Sequence, residues 1–148
     1  MINSPTISFY ENMTNVSITI SMGKDGFYTV YCSDHPSIMG GGDTLPEAMD
    51  ELKETLRLIK ADGKEVAFIY PEWLDDEYEF ELHWNIRDLM EYYAGIFTPT
   101  ALGRLSGIHP KQVWSYMSGR SKPRRAQLEK IENALHRLGQ ELTHMSLY

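Results

Sequence analysis

Covalent and metal chemistry need reactive side chains brought to one place, and this sequence carries such residues at spacings that do not converge. The five histidines, His35, His83, His109, His136 and His144, show neither a His-x-x-x-His nor a His-Glu-x-x-His spacing, so no pair is set on one helical face for a metal. Cys32 is the only cysteine, which excludes an intrachain disulfide, a Cys-based zinc site and a Cys-x-x-Cys redox pair; a small buried thiol is the expected state. Gly40-Gly41-Gly42 has no Gly-Lys-Ser/Thr after it, and Asp43 and Glu47 would place negative charge where a phosphate would sit, so a bulge or a close backbone approach is expected there. Asp25, Asp34 and Asp43 fall in predicted turns or at strand ends, and no set of carboxylates occupies inward positions on neighbouring strands, as two-metal phosphoryl chemistry would require. The chain reads as a non-enzyme with no catalytic residue, metal or cofactor.

The chemistry that is concentrated is cationic. Arg104, Lys111, Arg120, Lys122, Arg124 and Arg125 crowd one short region, as phosphate-binding residues do. The elements that must position them are helices. Thr98 is a predicted N-cap with Pro99 at the first helical position, and Leu102 and Leu105 lie three apart on one face. Gly107 breaks that helix, and Ile108 is the apolar residue a tight inter-helix turn buries. A second helix runs from Pro110 with His109 at its N-cap; Val113 and Met117 face the core, and Lys111, Gln112, Trp114, Ser115 and Tyr116 cover the other faces. Gly119 ends it, and Pro123 opens a last helix in which Leu128, Ile131, Leu135, Leu138 and Leu142 recur at spacings of three and four. Leu138 and Leu142 are left as candidates for a self-contact.

The first half has a different character. Residues 1–84 carry 16 Asp and Glu against 5 Lys and Arg, a net −11, whereas residues 85–148 carry 5 against 9, a net +4. We therefore place a domain boundary near Trp84, with an acidic domain over 1–84 and a basic one over 85–148. The first fifteen residues show no sustained period. Val16 to Met22 alternates apolar and hydroxyl residues as a half-buried strand, Gly23 to Gly26 makes a turn, and Phe27 to Ser33 returns as the second arm of a hairpin. A short strand over Ile38 to Gly42 follows, then a helix from Thr44 to Asp62 opened by the capping box Thr44-x-x-Glu47 and stopped by Gly63. Its stripe of Leu45, Ala48, Met49, Leu52, Leu56 and Ile59 needs a sheet to cover. Tyr78 to Trp84 alternates as a further strand, and Val66 to Tyr70 is a possible extra one ended by Pro71. The order is β-β-β-α-β, and the class is α+β. No apolar run approaches the ~20 residues of a bilayer span, and the N-terminus lacks the basic start and apolar core of a signal peptide, so a cytoplasmic protein is expected.

The order of parts from Thr98 to Pro123 resembles the Xre/Cro-type DNA-binding domain: a Leu-x-x-Leu helix, Gly-Ile at the turn, a recognition helix, Gly-Arg, then Lys-Pro. Gly103 departs from the Ala most often found there and should loosen the contact with the recognition helix slightly. The resemblance implies DNA contacts from Thr98, Thr100, His109, Lys111, Gln112, Trp114, Ser115, Arg120, Lys122 and Arg124. Lys111, Gln112 and Ser115 would reach base edges and Arg120, Lys122 and Arg124 phosphates; Trp114 would meet either the DNA or the last helix.

The β-β-β-α-β order with Gly-Asp-Thr-Leu-x-Glu-Ala at Gly42 to Ala48 resembles the HicB-family antitoxins, over a span from Val16 to about Leu142. That resemblance implies a partial ribonuclease-H-like first domain followed by a helix-turn-helix domain. It also implies a small basic RNA-cleaving toxin (HicA-like) as partner, operator DNA as a second partner, and a homodimer or higher homo-oligomer. An acidic inhibitor complements a cationic RNA-binding surface, so Asp34, Asp43, Asp75, Asp76 and Glu77 are the candidate toxin contacts, within an acidic run that continues through Glu79 and Glu81. The function expected is an antitoxin that represses its own operon. The alternative is a stand-alone Xre-type transcription regulator whose first domain senses a ligand or dimerises.

Overall fold

The computed structural model describes residues 13–66 and 69–148. The chain divides after Trp84 into two compact units, and its class is mixed α+β, with a four-stranded sheet and five α-helices among the described residues.

In the first unit β1 (Thr14–Met22), β2 (Tyr28–Cys32), β3 (Met39–Gly42) and β4 (Tyr78–His83) lie in the order β3-β2-β1-β4. The first two junctions are antiparallel hairpin pairings, and β4 joins β1 in parallel after the crossover that carries α1 (Leu45–Asp62). Alternation decides the faces. Val16, Ile18 and Ile20 are buried, and the register sets Ile18 beside Cys32 and Leu82, and Ile20 beside Val30. The α1 stripe of Leu45, Ala48, Leu52, Leu56 and Ile59 closes over this face, with Met49 half-buried at its margin.

The start of α1 is fixed by local chemistry. Thr44 accepts the Glu47 N–H at 3.3 Å, and the Glu47 carboxylate accepts the Thr44 N–H at 3.2 Å and the Asp43 N–H at 3.1 Å. The three glycines before it form a regular strand rather than a bulge, since Tyr28 to Tyr31 pair without interruption with Gly42 to Met39. Two of them are sites of close approach. A Cβ on Gly40 would collide with the Ala48 carbonyl and stand 2.5 Å from the Leu52 nitrogen, and one on Gly42 would stand 2.8 Å from the Ala48 nitrogen. The free edge of β3 is also occupied by α1, for the Gly41 N–H donates to Glu51 Oε2 at 2.6 Å and the Thr55 hydroxyl donates to the Met39 carbonyl at 3.4 Å.

Three expectations need correction in this unit. β1 starts earlier than its alternation suggests, because the Thr14 N–H donates to the Glu77 carbonyl at 2.9 Å and extends the ladder with β4; residues 1–12 lie outside the described residues. The extra strand over Val66 to Tyr70 does not form as such: Gly63–Val66 is a 3-10 turn entered through Gly63 at φ 71°, Ile69 is in a turn, and residues 67 and 68 lie outside the described residues. A second 3-10 turn, Glu72–Asp75, instead sends Leu74 into the core. Trp84 falls outside β4, which ends at His83, although its ring packs against the same core.

The second unit is all helical among its described elements: α2 (Ile86–Tyr92), α3 (Pro99–Ser106), α4 (Pro110–Met117) and α5 (Arg125–Thr143). Met90, Leu102, Ile108, Val113, Tyr116 and Ile131 form its core, with Ile86, Phe97, Met117 and Leu135 packed at the margin. α5 starts two residues later than Pro123 suggests. Arg124 is its N-cap at ψ 161°, outside helical geometry, and the Gln127 and Leu128 N–H groups donate to the Arg124 carbonyl. Along α5 the stripe sinks and then surfaces: Ile131 is buried, Leu128, Leu135 and Leu138 are half-buried, and Leu142 is 54% exposed. No described helix is long and apolar enough to cross a membrane.

Candidate nucleic-acid interface

α3 and α4 are shaped by three local devices. The Thr98 hydroxyl accepts the Ala101 N–H at 3.0 Å, with Pro99 occupying the position where a missing N–H removes no bond. Gly107 takes the left-handed conformation (φ 76°, ψ 11°) that side chains resist, its N–H donates to the Gly103 carbonyl at 2.9 Å, and Ile108 then turns into the core. His109 caps α4 by an uncommon route, with Nδ1 accepting the Lys111 N–H at 3.2 Å.

The turn closes directly on Gly103. A Cβ there would stand 2.7 Å from the Ile108 carbonyl oxygen and 3.1 Å from Pro110 Cγ, so this glycine tightens the approach of α3 to the turn, where a loosening was expected. From α5, the Arg137 guanidinium donates to the Leu105 carbonyl at 3.1 Å and satisfies one acceptor of the α3 C-terminus. Nothing in local sequence pattern joins residues so far apart, and Arg137 was not among the expected functional residues.

α4 buries Val113 and Tyr116 and half-buries Met117. Tyr116 was expected on an outer face. At 100° per residue, positions 116 and 117 lie on either side of 113, and the core takes the tyrosine ring more fully than the methionine. Lys111, Gln112, Trp114 and Ser118 are exposed. Ser115, like Lys111 almost opposite Val113, would be well exposed on a bare helix, yet it is half-buried because the following loop folds back onto it.

That loop runs from Ser118 through Gly119, whose φ of 76° reverses the chain. Ser121 then hydrogen-bonds Ser115 twice, hydroxyl to hydroxyl at 2.8 Å and Ser121 N–H to the Ser115 carbonyl at 3.3 Å, while Gln112 Nε2 donates to Ser121 Oγ at 3.4 Å. The Arg120 guanidinium carbon lies 4.6 Å from the Trp114 ring centroid. Gln112, Trp114, Ser115 and Arg120 are thus gathered on one side of the unit. Thr100, Arg104 and His109 line an open depression beside the turn, together with Gly103, Gly107, Ile108 and Pro110. Thr98 is committed to its cap. Lys122 and Arg124 are exposed in the segment that leads to α5.

Charge at this surface is uncompensated. Among the described residues no carboxylate stands within ion-pair distance of Arg104, Lys111, Arg120, Lys122 or Arg124, whereas Arg125 is paired with Glu129 at 3.1 Å. No group of His, Cys, Asp and Glu that could hold a metal ion is present among the described residues.

The five acidic candidates of the first unit do not form one patch. Glu77 is hydrogen-bonded at the Thr14 end of β1, with Asp75 and Asp76 just before it, and Asp34 follows Ser33, whose N–H donates to the Ser17 carbonyl. Asp43 follows Gly42, which pairs through Tyr28 with Met22, so it lies at the diagonally opposite corner of the sheet, about 25 Å away along β1 at the usual strand rise. Asp75 is also engaged internally: the Tyr70 hydroxyl donates to it at 2.6 Å and Lys64 stands 3.5 Å off, and that hydrogen bond foremost holds its carboxyl below the ordinary range. Asp76 and Glu77 remain exposed, continuous with Glu79 and Glu81 on β4.

Comparison with protein-family models, with curated proteins and with solved structures returns no match for this chain.

Proposed function

We propose that the chain is a cytoplasmic, two-part antitoxin and autorepressor, in which the helical unit is a helix-turn-helix that binds operator DNA and the acidic unit binds and neutralises a small basic RNA-cleaving toxin. The observation that carries the DNA-binding half is the α3–α4 pair: a left-handed glycine turn presents Lys111 and Gln112 on an exposed helix face, and Lys111 and four further cations of the same unit have no carboxylate partner among the described residues. Phosphates supply the missing charge, and a polar side chain on an exposed helix in the major groove supplies base discrimination. A helical unit this small buries too little surface for specific affinity alone, so a two-fold dimer on an inverted repeat is expected, with half-sites ~34–36 Å apart or a multiple of that.

The acidic half rests on charge complementarity. Asp76, Glu77, Glu79 and Glu81 present a row of exposed carboxylates along one edge of the sheet, opposite in sign to any protein that holds RNA phosphates. Two measurements test the proposal together. The full chain is titrated against the duplex upstream of its own coding sequence and against a scrambled duplex, and it is co-purified with the product of any short basic reading frame beside its gene. Specific duplex binding with a retained basic partner supports the full reading. Specific binding with no such partner leaves a stand-alone regulator, and equal retention of both duplexes removes the operator from the account.

A further inference from the structure

Trp114 and Ser115 are neighbours on the outer side of α4, and each holds one of two neighbours in the loop that follows, Arg120 and Ser121. The loop is therefore fastened at both residues, and Gln112 Nε2 adds a longer hydrogen bond to Ser121 Oγ at 3.4 Å. One fastening is polar and directional, the Ser115 to Ser121 hydroxyl contact at 2.8 Å backed by the Ser121 N–H on the Ser115 carbonyl at 3.3 Å. The other is the guanidinium of Arg120 laid over an indole that remains 45% exposed. Between them the chain reverses at Gly119, whose left-handed φ of 76° admits a glycine readily and other residues at a cost.

The chemistry of an arginine held by a ring is specific. The cation–π contact pairs the guanidinium with no carboxylate, so its charge and N–H donors are left for a phosphate, which a guanidinium can meet with two parallel hydrogen bonds. It also restricts a side chain that otherwise loses rotamer freedom on binding. We propose that Trp114 and Ser115 are positioning residues that hold Gly119 to Lys122 as a preformed cradle for one phosphodiester of bound nucleic acid, and that Trp114 reads no base. This inference rests on the DNA-binding reading above. It changes the role of two residues: Ser115, expected at base edges, spends its hydroxyl on Ser121, and Trp114 supports Arg120. Base reading on α4 is left to Lys111 and to Gln112, whose amide keeps its Oε1 and a second N–H besides the 3.4 Å bond to Ser121.

A double-mutant cycle on the full chain tests the cradle. The probe is the tightest duplex that the wild type recovers from a random 20-base-pair pool, with a scrambled duplex beside it, each titrated at several salt concentrations. Trp114→Ala should weaken both duplexes about 3–10-fold, the scale of ordering one long side chain, and leave their affinity ratio unchanged. Arg120→Ala should do the same and lower the slope of log K against log salt by about 0.9. The double variant should be no weaker than Arg120→Ala alone within about two-fold, because Trp114 has nothing left to position. Trp114→Phe keeps a ring for the guanidinium and should recover most of the loss, whereas Ser115→Ala should weaken both duplexes without altering preference. Circular dichroism of the free variants checks that each is folded. Should Trp114→Ala unfold the unit, Arg120→Ala decides by whether it shifts the Trp114 emission of the free protein, isolated from Trp73 and Trp84 as the difference from Trp114→Phe; no shift overturns the contact. Multiplying losses in the double variant, or a Trp114→Ala change in sequence preference, also overturns the proposal. A wild type that recovers no duplex defeats the DNA-binding reading itself, a distinguishable failure.

Discussion

Replacing Gly40, Gly41 and Gly42 one at a time by alanine should give a stability profile that alternates with the pleat of β3. None of the three has a positive φ, so an alanine is unstrained at each and its effect is set by space. At Gly40 the added methyl meets backbone atoms of α1 on three sides, with the Leu52 nitrogen at 2.5 Å and the Glu51 carbonyl carbon at 3.1 Å besides the Ala48 carbonyl. Backbone cannot rotate away, so α1 must retreat by about 1 Å to restore ordinary contact, and a gap of that size forfeits a quarter to a half of each dispersion contact it opens. The contacts at risk are those of Leu45, Ala48, Leu52, Leu56 and Ile59 with the sheet. Because the helix can tilt instead of lifting along its whole length, we expect a loss of ~3 kcal/mol, at the upper end of overpacking costs. In a unit of this size that lowers the melting temperature by about 10–25 °C. Gly42→Ala should behave similarly, with the Ala48 nitrogen 2.8 Å away. Gly41→Ala should be within ~0.5 kcal/mol of neutral, for its methyl crowds only the ring of Phe27, a side chain 43% exposed and free to swing, while the Tyr28 carbonyl oxygen stands at an ordinary 3.6 Å, and alanine stiffens the unfolded chain. Calorimetry of the three variants is the assay. Equal losses at 40 and 41, or a milder one at 40, would refute the packing of α1 on the β3 backbone.

Three further outcomes follow from the same geometry. Gln112→Ala should cost ~1–3 kcal/mol on the cognate duplex and relax preference at one base pair, read by titration against single-position variants of the duplex, whereas equal weakening on a scrambled duplex would remove Gln112 from base recognition. Burial, with the Asp34 charge adding to it, pushes the Cys32 thiol up from 9.0 to about 11. The stability it contributes is complete below about pH 9 and is lost as the pH rises through 11, by at most ~2–3 kcal/mol; at pH 8 its thiolate fraction is about 100-fold below that of the unfolded chain, so a thiol reagent should label it slowly until denaturant is added. Finally, Glu79→Lys with Glu81→Lys should leave duplex preference intact and weaken retention of a basic partner at least ten-fold in low salt, and a loss that does not shrink as salt is raised would argue against an electrostatic contact.

What could be read from the sequence was what is decided locally. The Thr44 and Glu47 box, the Thr98 cap and the Gly107 break each involve residues within four positions, so type and spacing were enough. The alternation of Val16 to Met22 likewise fixed which face of β1 is buried. Where the fold is decided by distant partners the pattern gave no warning. The apolar run at Val66 to Tyr70 has strand composition, but Gly63 reverses the chain ahead of it, and among the described residues between α1 and β4 the fully buried side chains are Pro71 and Leu74. Gly103 looked like a gap because the carbonyl that fills it belongs to Ile108, beyond the turn. Tyr116 was misplaced because a helix with two apolar candidates one residue apart does not say which ring the core will take. The Ser115 to Ser121 clasp and the Arg137 to Leu105 bond have no periodic signature at all.

The distribution of satisfied charge bears on how many partners the chain needs. In the first unit two of the five Lys and Arg are paired with carboxylates, Arg57 with Glu54 at 2.7 Å and Lys64 with Asp75 at 3.5 Å, Lys60 donates to the Leu74 carbonyl at 3.5 Å, and Lys24 and Lys53 are exposed. What is left exposed around β4 is acidic. In the second unit Arg125 is spent on Glu129 and Arg137 on the Leu105 carbonyl, and what is left exposed around α4 is basic. Exposed ion pairs of this kind add little to stability, so their consequence lies in the remainder they leave. A remainder of one sign repels itself and weakly disfavours the compact state, and it attracts an oppositely charged surface over roughly a Debye length. One partner of either sign would be drawn to one unit and repelled by the other. Two partners of opposite sign, a nucleic acid at α4 and a basic protein at β4, would each be drawn to its own unit. The proposed antitoxin and repressor would use that division of charge, with one partner to each unit.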